Sequence, residues 1–72
     1  MLGRFDRATQ CFERSLSLRP QNAQAAFNLG LIALRRANLV EARRRFEQAL
    51  AIDPANEDYR SGLAQATASL RQ

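Results

Sequence analysis

The side chains with chemical reach in this sequence are arginines. All eleven basic residues are arginine, with no lysine or histidine, and against seven carboxylates they leave a formal charge of +4 at pH 7. Arg43, Arg44 and Arg45 stand together, with Arg35 and Arg36 shortly before them, and a basic stripe of this kind can neutralise phosphates. The acids point elsewhere. Glu41 stands four residues before Arg45 and Glu47 four residues after Arg43, the pairing of an ordinary helix surface. No aromatic residue interleaves to stack on bases. We read the cluster as a solvated face, which disfavours nucleic acid as a partner.

Catalytic groups are missing. Cys11 is the sole cysteine, so an internal disulfide and a Cys-rich metal site are both excluded. It has no base near it in sequence and is expected to be a small buried or half-buried residue. The carboxylates are scattered over helix starts and exposed positions, where dipole and solubility roles suffice. No Gly-rich phosphate loop or metal-ligand spacing is present. The sequence therefore predicts a non-enzyme without cofactor or metal. The longest apolar run, Leu29 to Leu34, falls short of the roughly 20 residues of a membrane span. The opening MLGRFDRATQ is too polar for a signal-peptide core, so the expected location is cytoplasmic, unless an upstream targeting segment precedes a fragment. The exclusive use of arginine in an Ala-rich chain points to a high-GC bacterial source.

The elements that carry these residues are helices. Seventy-two residues with 7% aromatics, dominated by Ala and Leu, make one all-α domain whose small core leaves little stability in reserve. Gly3 marks a turn before a first helix, Asp6 to Arg19, with apolar residues at Ala8, Cys11, Phe12, Leu16 and Leu18. Pro20 stops it, and Asn22 can cap the next helix. Ala23 to Arg36 is apolar on almost every side and must be sandwiched between partners. Ala37-Asn38 breaks it, and Asn38 can cap the helix that follows. A third helix, Leu39 to Ile52, sets Leu39, Ala42, Phe46, Ala49 and Leu50 on one face, and ends at Asp53-Pro54. Asn56 then caps a fourth helix from Glu57 to about Leu70. Four helices with connections this short must lie antiparallel to their neighbours.

Pro20 and Pro54 are 34 residues apart, and the same offset pairs Ala8 with Ala42, Phe12 with Phe46, Glu13 with Glu47, Leu16 with Leu50, Asn22 with Asn56 and Leu29 with Leu63. On these residues the chain resembles tetratricopeptide repeats, whose period is 34 with two helices per period. The resemblance implies a superhelix of antiparallel helix-turn-helix repeats. Residues 23–56 would form a complete repeat, residues 3–22 the second half of a preceding one, and residues 57–72 the first helix of a further one. Leu29-Gly30, Ala42, Phe46, Ala49 and Pro54 match the family's pattern, whereas Ala26 and Ala33 stand where Trp and Tyr are common and lighten the core. Gly30 and Ala42 lack bulk, so their helices can approach closely while Phe46 fills the space where they diverge.

The resemblance also implies a function: a protein–protein interaction scaffold whose first helices line a groove for a peptide or partner segment. The corresponding positions here are Gln24, Phe27, Asn28, Leu31, Leu34 and Arg35, facing Asp58, Ser61, Gly62, Gln65, Ala68 and Ser69 on the last helix. Asn28 can bond a peptide backbone as donor and acceptor, and Arg35 can hold a carboxylate bidentately. Phe27 and Leu31 can equally pack on a neighbouring helix. Some family members clamp a C-terminal carboxylate with Asn and basic residues. Asn28 falls on one clamp position, but Asp58 and Gly62 stand where basic groups would be needed. The alternative is self-association. Leu2, Phe5 and Phe12 at one end and Leu63 and Leu70 at the other would pair incomplete terminal repeats in a homodimer. A chain that is a piece of a longer array would use the same ends for stacking.

Overall fold

The computed structural model describes residues 4–71, with side chains from residue 6 onward. Four helices follow one another: α1 (Arg4–Leu18), α2 (Ala23–Arg35), α3 (Leu39–Ile52) and α4 (Glu57–Leu70). No strand occurs among the described residues. Leu2 and Gly3 lie outside the described residues. The backbone of Phe5 belongs to α1, and its side chain lies outside the description.

Two of the expected asparagine caps form. Oδ1 of Asn22 accepts from the N–H of Ala25 at 3.1 Å, and Oδ1 of Asn56 accepts from those of Asp58 and Tyr59 at 2.9 and 3.2 Å. Both place a side-chain oxygen on N–H groups that have no partner inside the helix. Asn38 occupies the same position before α3, but its side chain makes no cap bond. The break between α2 and α3 is instead closed by the backbone. Ala37 takes a left-handed conformation, with φ of 59°. Its N–H reaches Leu34 O at 3.0 Å while that of Asn38 reaches Ala33 O at 2.8 Å. These are the two bonds of a Schellman closure, whose left-handed position is usually glycine.

Each helix packs on its chain neighbour, and α2 also meets α4, so α2 is sandwiched as its all-round apolarity requires. One buried cluster joins Leu16, Ala25, Ala26, Leu29, Ala49 and Tyr59, and a second joins Ala33, Ala42, Phe46 and Ala66. Phe27 packs against both. Its ring centroid lies 5.6 Å from that of Phe46 and 4.8 Å from that of Tyr59, spacings at which tilted aromatic pairs attract.

Phe46 is the largest side chain fully enclosed by the fold. A Cβ at Gly30 would stand 2.6 Å from its ring, and one at Gly62 would stand 2.8 Å from it. The expected close approach at Gly30 is therefore matched by a second one from α4. Gly62, assigned from sequence to the groove, is buried against Phe46. Two further expectations are corrected. Cys11 is exposed, and Leu18 is 74% exposed. The apolar stripe of α1 runs through Ala8, Phe12 and Leu16 at four-residue spacing, and Cys11 and Leu18 point away from it.

Candidate functional site

The stripe Gln24, Asn28, Leu31, Arg35 advances three or four residues at a time and so stays on one side of α2. Gln24, Leu31 and Arg35 are exposed, while Asn28 and Leu34 are half-buried. Leu31, Leu34 and Arg35 line an open cleft of about 510 Å³ together with Ala37, Leu39, Gln65 and Ser69. Five of these residues were expected from sequence to face one another, three on α2 and two on α4. Gln24 and Asn28 lie on the turns of α2 before this cleft and do not line it.

Phe27 has a different position. Its half-buried ring is engaged by Phe46 and Tyr59, which favours the packing reading of this residue. On α4, Asp58 and Ser61 are exposed outside the cleft. Ala68 lines a separate depression with Leu50, Arg60, Leu63, Ala64, Thr67 and Arg71. Of the residues considered for self-association, Phe12 packs against the first buried cluster and Leu63 against the second, and Leu70 is half-buried.

Ala37 and Leu39 belong to the cleft although their sequence pattern assigned them to a helix break and to the packing face of the third helix. The left-handed turn explains this. It reverses the chain within three residues, so the start of α3 comes back beside the end of α2. A pattern of apolar spacing does not register such a reversal, and an Ala at a position favoured by Gly hides it further.

The outer face of α3 holds the ion pairs expected from spacing. Arg43 Nε lies 3.7 Å from Glu47 and Arg45 Nε lies 3.6 Å from Glu41. A third pair, unforeseen, joins Arg36 to Asp6 of α1 at 3.2 Å. All three are partly or largely exposed, and such pairs contribute about 0.2–1 kcal/mol each. Arg35 and Arg44 have no ionic partner among the described residues. No group of acidic residues and cysteine suited to a metal occurs among them, and no helix is long and apolar enough to cross a membrane. What the cleft offers chemically is an aliphatic floor with one cation, one amide and one hydroxyl at its edge.

The family model of the tetratricopeptide repeat matches residues 2–57. Over 63 residues the chain is 38% identical to cellulose synthase operon protein C and 36% identical to cellulose synthase 1 operon protein C, both of Komagataeibacter xylinus. A cellulose synthase operon protein C of Komagataeibacter sucrofermentans is also 36% identical over 63 residues. Each match takes in 86% of this chain and 5% of the relative, so the chain corresponds to a small part of these proteins.

Proposed function

The chain belongs to the tetratricopeptide repeat family, and on that premise we propose that it is a non-enzymatic interaction module that takes up a segment of a partner protein in the cleft between α2 and α4. The observation that carries this reading is the shared lining of the cleft by Leu31, Leu34 and Arg35 from one helix and Gln65 and Ser69 from the other. Apolar side chains give a partner segment area to bury, and flanking polar groups fix its orientation. Gln24 and Asn28, on the preceding turns of α2, extend the surface along which a longer segment would run. The names of the relatives tie those proteins to cellulose synthase operons. The shared stretch is repeat sequence and amounts to 5% of their length, so no partner is carried over from them.

Selection of binders from a library of random displayed peptides tests the reading. Peptides recovered on the native chain should lose about tenfold or more in affinity on a Leu31→Glu variant, which places a charge on the aliphatic floor. Circular dichroism should show that variant as helical as the parent, because Leu31 is exposed. Binders indifferent to Leu31→Glu, or a failure to recover any, would overturn the reading.

Self-association is the second reading, and one observation favours it. Leu50 of α3 and Leu63, Ala64, Thr67 and Ala68 of α4 line an open depression together with Arg60 and Arg71, a largely apolar surface that a second copy could cover. Sedimentation across the micromolar range separates the two readings: a monomer throughout would end the homodimer.

A further inference from the structure

We propose that the fold carries a second docking site, a depression between α1 and α3 that takes a single lysine or arginine side chain of a partner protein. It is separate from the cleft between α2 and α4. Leu29, Ile32 and Ala33 of α2 form its floor, within a volume of about 350 Å³. At that spacing they lie on the side of α2 away from Leu31, Leu34 and Arg35. Leu29 and Ala33 are buried, whereas Ile32 is half-buried and belongs to neither buried cluster of the described residues. Its side chain is an aliphatic surface that an occupant can cover.

The charges around that floor are unequally matched. Arg36 is held by Asp6 at 3.2 Å and Arg45 by Glu41 at 3.6 Å. Glu13 of α1, which also lines the depression, has no ionic partner among the described residues. The repeat explains the difference. Glu47, its counterpart 34 residues on, lies 3.7 Å from Arg43, and Thr9 stands where that arginine would be in α1. Asn38 lines the depression as well, with a side chain that makes no cap bond and an amide oxygen that can accept.

A basic side chain matches this set. Its cationic head meets the carboxylate of Glu13 in a charge-assisted hydrogen bond, and its methylene stem covers Ile32. An acidic side chain would meet Glu13 with like charge, while the two arginines are already engaged. The net charge of +4 repels a polybasic segment at a distance, which restricts the occupant to one basic side chain among uncharged neighbours.

Titration of the isotopically labelled chain with the capped peptide acetyl-Leu-Lys-Leu-amide tests this, because amide shifts report where the probe sits. The largest changes should fall at Thr9, Glu13, Ile32 and Asn38. The same peptide with Gln in place of Lys should bind there about fivefold more weakly, the scale of a partly exposed charge pair. Glu13→Gln should remove the difference between the two peptides and leave the thermal midpoint unchanged, since Glu13 is exposed. Thr9→Arg, which supplies the pairing seen in α3, should remove it as well. No saturating change at these positions, changes confined to Leu31 and Gln65, equal binding of the two peptides, or a preference that survives either substitution would overturn the proposal. The reading of the cleft between α2 and α4 stands or falls separately, on Leu31→Glu.

Discussion

Phe46 shows how closely single residues are matched in this core. Two helix backbones stand against its ring at Gly30 and Gly62, with no room for a Cβ at either, and the ring is fully enclosed. Alanine is intrinsically better than glycine inside a helix by about 0.5–1 kcal/mol, yet overpacking a filled core costs about 1–3 kcal/mol. Packing should win: Gly30→Ala and Gly62→Ala are each expected to destabilise by about 1–2 kcal/mol in urea unfolding, with Gly30→Leu worse. Gly30 was legible in the sequence because it follows Leu29 in a recognisable pair. Gly62 was not, because the 34-residue offset aligns Gly30 with Ala64 and the contact depends on how α4 lies against α3. Ala37 carries the opposite expectation. Its left-handed backbone disfavours a Cβ, so Ala37→Gly should stabilise by about 0.5–1 kcal/mol, measurable as a rise in the thermal midpoint. No change or a loss would show that the methyl contributes to packing at the edge of the cleft.

The helices themselves were largely legible, since Pro20, Asn22, Asp53-Pro54 and Asn56 punctuate the chain where helices end and begin. The least legible boundary was the one without proline, where Ala37 and Asn38 close α2 through the backbone. Three asparagines look alike in sequence at the starts of α2, α3 and α4, but their side chains act differently. Asn56 accepts two N–H bonds and Asn22 accepts one, whereas Asn38 makes no cap bond. Asn56→Ala should therefore cost about 1 kcal/mol, and Asn38→Ala should stay within about 0.5 kcal/mol of the parent, as surface substitutions do. Equal losses at both positions would mean that Asn38 caps α3 in solution. Cys11 and Leu18 depart from expectation because an apolar residue near helical spacing need not share the face that the helix buries, and both are exposed. The stripe through Ala8, Phe12 and Leu16 is narrow, as suits a helix that among the described residues packs on α2 alone.

At the scale of the whole molecule, six of the ten buried hydrophobic residues among the described ones are alanine, which brings the helices close but buries little area per residue. The aromatic contacts of Phe27 with Phe46 and Tyr59 bind the two clusters together, and a ring whose spacing suited either a partner or a neighbouring helix is engaged within the fold. The lining of the cleft was legible in part: the family resemblance set Leu31, Leu34 and Arg35 opposite Gln65 and Ser69, and these five line it together. Ala37 and Leu39 enter only once the chain has turned. The cleft between α2 and α4 is the central claim, and mapping amide chemical shifts of the isotopically labelled chain against a selected peptide tests it most directly. The largest changes are predicted at Leu31, Leu34, Arg35, Leu39, Gln65 and Ser69. Changes centred instead on Arg43 and Arg44 of α3, or on Leu63, Ala64 and Thr67 of α4, would contradict it.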